Sequence, residues 1–374
     1  MPSDGTVFMV GVGDPHYTES AWIHRQDTAG DADLALRQAV DVALQYDVPL
    51  LAAGDIMDSA RPSPEVVHKF VERVRPLRKL LYIRGNHDDR SPRSWPDLSG
   101  VCEWIGHGEV VQVGPARVVG LDWTPGWALK PTLEKLQLRE KRADVFTCHQ
   151  SWKQIQTMGV AEGDLADIEM GSDSVVFTGD YHQSLELAVP GTEQYIQVIS
   201  PGSLHLTTID EEVQKYVYLF HYGVGGGVRV ERRPLVCRQV KVMELRDYNG
   251  SSIVAEVAAL EPTFPYPDTP LKPFVRLNYP ADVSAKEVVK AAAGKCVLFC
   301  NPAPTTREGA TSSASEEMIE TLETAIPQAT QDPAVASAAA TLLRTPAAER
   351  AGVVQQMRLR WLEAYKATGS PTCD

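Results

Sequence analysis

Apolar positions along the first half of the chain alternate between two registers. Val7 to Val12, Pro49 to Ala53, Leu80 to Ile83, Val145 to Thr147 and Val175 to Thr178 are short apolar runs of strand length, which predicts buried strands. Between the earlier runs the period is helical. Leu36, Ala39, Val40, Ala43 and Leu44 fall at i, i+3, i+4, i+7 and i+8, one face of a helix. Val67, Phe70, Val71 and Val74 mark a second helix, opened by Ser63 as cap and Pro64 in its first turn. Strands that alternate with helices predict an α/β fold.

From about Leu185 the pattern changes. Leu185–Val189, Tyr195–Ile199, Tyr216–His221, Val228–Val236 and Val240–Leu245 read as successive strands joined by tight turns. The glycine run Gly223 to Gly227 does not open a helix, as a phosphate cradle must, so it reads as a hairpin turn. Prolines 262, 265, 267, 270 and 273 punctuate an irregular entry to a further strand at Phe274–Leu277, a helix from Ser284 through Ala293, and a strand at Val297–Phe299. Residues 301–315 are polar and rich in Pro, Ala, Thr and Ser, as a linker is, and residues 316–368 are helical in pattern. Val354, Met357, Trp361 and Tyr365 form an apolar stripe there. The expected organisation is a first domain over 1–245, a small α+β domain over 246–300, a linker over 301–315 and a helical region over 316–374.

Composition narrows the class. The chain has 374 residues, which at about 150 per domain means roughly two and a half domains. Hydrophobic residues make 43% and charged residues 23%, a globular balance with no apolar run of membrane-spanning length. The first residues lack the pattern of a secretory signal, and six cysteines are too sparse for a disulfide framework, so a cytoplasmic location is expected. The net charge of −13 argues against a protein that coats nucleic acid, but not against an enzyme that grips it locally. Basic residues do crowd two stretches, Lys69 to Arg93 and Lys135 to Arg142, as solvated helix faces commonly do.

The polar groups of the first half lie just beyond strands. Five loops carry Asp14 and His16; Asp55; Asn86 and His87; His149; and Asp180 and His182. In α/β sheets the loops at the carboxyl ends of strands converge on one crevice. Carboxylates, imidazoles and an amide carbonyl are ligands for borderline to hard divalent ions. Hydrolysis of a phosphodiester needs charge neutralised on the phosphoryl oxygens and a nucleophile potent at neutral pH, and two ions about 3.5–4 Å apart supply both. The group shared between two ions has to be a carboxylate, and Asp55, alone behind Gly54, is the candidate.

These five segments, GDPH (13–16), GDIMD (54–58), GNHD (85–88), CHQ (148–150) and GDYH (179–182), resemble the signature of the calcineurin-like metallophosphoesterases. Residues 53–64, with Ser200-Pro201-Gly202-Ser203 followed by Glu211, Glu212 and Lys215, are similar to segments of the SbcD-like DNA repair exonucleases. The resemblance spans residues 7–245 or so. It implies a four-layer α-β-β-α sandwich, with a small α+β capping domain and a helical C-terminal tail. It implies one ion on Asp14, His16, Asp55 and His182, and another on Asp55, Asn86, His149 and Asp180. His87 would then be catalytic without binding metal, protonating or orienting the leaving oxygen, with Asp88 and Asp58 as supports. The chain departs from the family at Asp180, where the motif usually carries a histidine. A carboxylate there favours Mn²⁺ or Mg²⁺ over softer ions, with Fe²⁺ and Zn²⁺ as alternatives.

Two functions follow as expectations. One is a Mn²⁺-dependent exo- or endodeoxyribonuclease, the nuclease subunit of an SbcCD-like recombination and repair complex. Its partners would be DNA, an SbcC-like coiled-coil ATPase docked on the C-terminal helices, and a second copy of the chain in a homodimer. No G-x-x-x-x-G-K-[ST] motif occurs, so ATP dependence would come from another chain. The alternative is a small-molecule or cyclic-nucleotide phosphodiesterase of the same superfamily. No membrane association is expected.

Overall fold

The computed structural model describes residues 5–19, 29–88, 99–156, 161–171, 173–190, 195–208, 211–223, 226–244, 271–280 and 294–303, with a few isolated positions besides. The chain divides into two compact units, Met1–Ala303 and Pro304–Asp374, and the second lies outside the described residues. Residues 301–303 of the expected linker are the end of a strand, Val297–Ala303; the rest of the linker, the helical region and the apolar stripe lie outside the described residues, as does most of the helix expected from Ser284.

Fifteen strands and three helices follow one another among the described residues. They are β1 (Thr6–Val12), α1 (Asp31–Tyr46), β2 (Leu50–Ala52), α2 (Pro64–Val74), β3 (Leu80–Tyr82), β4 (Cys102–Trp104), β5 (His107–Val113) and β6 (Ala116–Leu121). Then come α3 (Gly126–Leu136), β7 (Val145–His149), β8 (Val175–Gly179), β9 (Leu185–Pro190), β10 (Tyr195–Ser200), β11 (Tyr216–Tyr222) and β12 (Val228–Pro234). The last are β13 (Val240–Glu244), β14 (Phe274–Pro280) and β15 (Val297–Ala303). One six-stranded sheet has the order β12-β11-β1-β2-β3-β4 and a second the order β5-β6-β7-β8-β10-β9. β1 through β4 run parallel, as do β6, β7, β8 and β10.

Burial defines the layers. Phe8, Leu51, Leu81, Ile83, Tyr218 and Phe220 of the first sheet meet Val118, Val145, Val175, Phe177 and Ile199 of the second in one apolar cluster. Each such side chain contributes roughly 1.5–3 kcal/mol by leaving water. Leu36, Ala39, Val40, Ala43, Val66, Phe70 and Val74 of the first two helices cover the outer face of the first sheet. Leu129, Leu133 and Leu136 of α3 cover the second. The result is the four-layer α-β-β-α sandwich that the resemblance implies. Ser63 caps α2, accepting from the Val66 N–H at 3.2 Å, a bond worth about 1 kcal/mol.

Several elements differ from the sequence pattern. The buried face of α2 is Val66, Phe70, Val71 and Val74, with Val67 only half-buried, and Leu44 at the end of the α1 stripe is exposed. The strands after Leu185 are not one meander. β9 and β10 form a hairpin in the second sheet, because β10 lies parallel beside β8. β11 and β12 form another in the first sheet, because β11 returns antiparallel beside β1. β13 precedes the expected boundary at 245 and pairs with β14, which pairs with β15 on its other edge, in a small all-parallel sheet. Among the described residues no helix is long and apolar enough to cross a membrane.

Candidate metal centre

All five loops that carry the candidate ligands leave the carboxyl ends of parallel strands: β1, β2 and β3 of one sheet, β7 and β8 of the other. The two sheets pack face to face, so the five strand ends meet. The backbone turns sharply at each. His16, Asp55 and Asp180 have φ of 38°, 45° and 85°, the left-handed region that side chains other than glycine seldom adopt. Three such residues at one end of a sandwich are strain of the kind held at functional sites. Loop also packs against loop without room for a side chain, since a Cβ on Gly85 would stand 2.0 Å from Asp55 Oδ1.

His149 is the centre of one half. It is wholly buried, and its Nδ1 lies 2.9 Å from the Ala53 carbonyl, to which it donates. Its Nε2 then faces only oxygens: Asn86 Oδ1 at 3.0 Å, Asp55 Oδ2 at 3.4 Å and Asp180 Oδ1 at 3.9 Å. His16 is the centre of the other half. Its Nε2 is 3.1 Å from His182 Nε2 and 3.5 Å from the same Asp55 Oδ2. One carboxylate oxygen therefore stands between the two imidazoles, where the sequence places a shared ligand. Asp14 is fully buried behind them, with both oxygens accepting the Asp180 N–H at 3.2 and 3.1 Å and one lying 3.3 Å from His149 Nδ1.

The titration pattern follows from this crowding. Burial acts to raise the Asp55 carboxyl, but His149, His16 and the His87 N–H outweigh it and hold Asp55 well below the ordinary range. Burial pushes Asp180 up to about 6; His149 opposes the rise while the charges of Asp14, Glu162 and Asp55 add to it. His149 is pushed well above its ordinary value, because Asp55 and Asp14 overcome the effect of burial. An imidazole nitrogen facing an amide oxygen at 3.0 Å and carboxylate oxygens at 3.4 and 3.9 Å with no proton between them is repelled. Protonating His149 relieves this arrangement, and so does a divalent cation. The donor set thus fits the ions that the sequence implies.

The supporting residues sit as follows. His87 is exposed at the mouth of the site; its backbone N–H binds Asp55 Oδ1 at 2.9 Å and its Nδ1 lies 3.0 Å from the Asp58 carbonyl. Asp58 thus reaches His87 through its backbone, while its carboxylate lies 3.3 Å from His16 Nδ1. Donor atoms of His16, Asp58 and His87 all fall within 4.8 Å of one another, close enough to hold an ion. Asp88 is buried and serves backbone N–H groups rather than His87: it accepts from Gly85 at 2.9 Å, Ile56 at 3.0 Å and Met57 at 3.3 Å. It joins the second loop to the third. Burial pushes its carboxyl up to about 6.

Some contributors were not assigned a role from the sequence. Glu211 and Thr207 each lie 3.1 Å from His182 Nδ1. Glu162 accepts from the Trp123 indole at 2.7 Å and the Ser151 N–H at 3.1 Å, beside Asp180. In the first basic stretch, Lys69 pairs with Glu19 and Glu65, Arg73 with Asp33, Arg75 with Glu72, and Lys79 with Glu103. These four residues are tied to acids of their own chain. Trp127, at the start of α3 on the same end of the sandwich, is 86% exposed.

No protein-family model and no curated protein matches the chain. Among solved structures it is similar to wild-type Vps29 complexed with zinc from Entamoeba histolytica, at 15% identity, covering 61% of this chain and 98% of that one, with a TM-score of 0.28. A single mutant of that protein matches at 14% identity over 60% and 98%, with a TM-score of 0.27. Vps29 of Chaetomium thermophilum matches at 12% over 60% and 96%, with a TM-score of 0.26. At such scores the chemistry of the site rests on its own geometry.

Proposed function

We propose that the chain is a metallophosphoesterase that hydrolyses phosphodiester bonds in DNA, the nuclease subunit of an SbcCD-like complex. The observation that carries the phosphoesterase reading is the position of Asp55 Oδ2, 3.5 Å from His16 Nε2 and 3.4 Å from His149 Nε2. A carboxylate shared between two sets of N and O donors is what a two-ion site requires. Asp14, His16, Asp55 and His182 would hold one ion, and Asp55, Asn86, His149 and Asp180 the other, with Mn²⁺ favoured. When bound, the ions supply charge neutralisation on the phosphate and an activated water. His87 stands exposed beside them and meets the leaving oxygen as acid or orienting donor. Its Nδ1 contact to the Asp58 carbonyl leaves Nε2 facing outward for that role.

DNA as the substrate is supported by the resemblance of residues 53–64 and 200–215 to the SbcD-like exonucleases. An exposed indole on the rim, Trp127, suits an unstacked base. The test is Mn²⁺ with end-labelled linear DNA beside cyclic nucleotides. DNA is degraded, and His87→Ala lowers the rate by at least 100-fold while metal content is unchanged. Turnover of cyclic nucleotides alone would favour the small-molecule reading. Loss of metal together with activity in His87→Ala would make His87 a ligand.

A further inference from the structure

The segment 203–215 returns from the second sheet to the first and touches three of the proposed ligands on the way. Ser203 N–H donates to the His182 carbonyl at 3.2 Å, Leu204 N–H to the Asp14 carbonyl at 3.1 Å, and His205 Nε2 lies 3.2 Å from the His16 carbonyl. Leu206 is buried against Phe274 and Val297 of the small parallel sheet, which anchors the segment from outside. Within it, a buried ionic group stands behind His182. The Glu211 side chain is 8% exposed and that of Lys215 3%. Lys215 Nζ donates to Glu211 Oε2 at 2.9 Å and to Ser203 Oγ at 2.8 Å. Ser203 Oγ and the Thr207 N–H also reach Oε2, at 2.7 and 3.2 Å. With Oε2 so occupied, Oε1 is left to His182 Nδ1 at 3.1 Å and to the Thr207 hydroxyl.

We infer that Glu211 is a positioning residue: it holds the proton of His182 on Nδ1, so that Nε2 presents its lone pair toward His16 and the ion they share. The inference rests on the two-ion reading above. A carboxylate behind a ligating imidazole fixes its tautomer and raises its basicity, and losing one weakens metal binding by roughly 10–100-fold. In the other half of the site His149 Nδ1 meets the Ala53 carbonyl at 2.9 Å, with Asp14 Oδ1 3.3 Å away.

The experiment is calorimetric Mn²⁺ titration of the full chain, with ¹⁵N NMR of the histidine rings in the metal-free protein and melting temperature as a control for folding. Wild type binds Mn²⁺ and gives a His182 signal of the Nδ1–H form. Glu211→Ala weakens binding of the ion on the His16–His182 side by about 10–100-fold and mixes the two tautomers. Because that variant strands Lys215 without its partner, the pair Glu211→Gln with Lys215→Met is measured beside it. The pair keeps a carbonyl acceptor for Nδ1–H and removes both buried charges. It retains the tautomer and loses less affinity than alanine does. Equal affinities and an unchanged tautomer in Glu211→Ala overturn the role of Glu211. No Mn²⁺ binding by wild type would instead defeat the two-ion reading, while the NMR still decides whether Glu211 orients His182.

Discussion

Asp180 is the residue at which this site departs from its expected pattern. It has φ of 85°, its N–H is held by Asp14, and its Oδ1 lies 3.9 Å from His149 Nε2, in reach of the ion placed there. A hard carboxylate in place of the expected imidazole is proposed to shift preference toward Mn²⁺ or Mg²⁺. Asp180→His is expected to stay active with a preference moved toward softer ions such as Zn²⁺, measured as hydrolysis rate across a metal series. Asp180→Ala is expected to lose one of two Mn²⁺ equivalents. A fully active alanine variant beside an inert histidine variant would show that Asp180 is no ligand. The candidate ligands were legible at this scale because each is a reactive type placed directly after an apolar run. The supports were less so. Asp88 is adjacent to His87 in sequence, yet its carboxylate turns back to the N–H groups of Gly85, Ile56 and Met57. Glu211 is 29 residues from His182 in the chain, and only the return of segment 203–215 between the sheets brings them together.

Among the elements, long apolar runs and capped amphipathic stretches declared themselves, while residues 102–136 did not. β4 is three residues long and half-buried throughout, so it lacks the apolar run that marks β1 or β7. β5 carries an irregularity between His107 and Val110 that breaks its alternation. α3 contains Pro131 and buries only Leu129, Leu133 and Leu136, a sparse helical signal. The strands after Leu185 were legible as strands but not in their partners. Pairing is decided by which edge is open, and β8 and β1 each offered one. Local pattern does not carry that information.

Over the whole molecule the charge balance is −13, and Lys69, Arg73 and Lys79 are spent on acids of this chain. If DNA is the substrate, as proposed, the grip on it is expected to come from the ions, the exposed rim and a partner subunit. Docking of an SbcC-like ATPase is proposed for the region beyond Ala303, where Val354, Met357, Trp361 and Tyr365 form an apolar stripe. A pull-down comparing the full chain with a version ending at Ala303 is expected to lose the ATPase and keep Mn²⁺-dependent hydrolysis. Equal capture by both would place the contact in the sandwich.

The proposed sharing of Asp55 between two ions has a direct spectroscopic signature. Two Mn²⁺ ions joined by one carboxylate couple magnetically, whereas separate ions do not. Electron paramagnetic resonance of the protein loaded with Mn²⁺ and desalted is expected to show about two equivalents per chain with an exchange-coupled signal. The signal should disappear in Asp55→Ala. A single equivalent with an uncoupled six-line spectrum, unchanged in Asp55→Ala, would contradict a two-ion site built on Asp55.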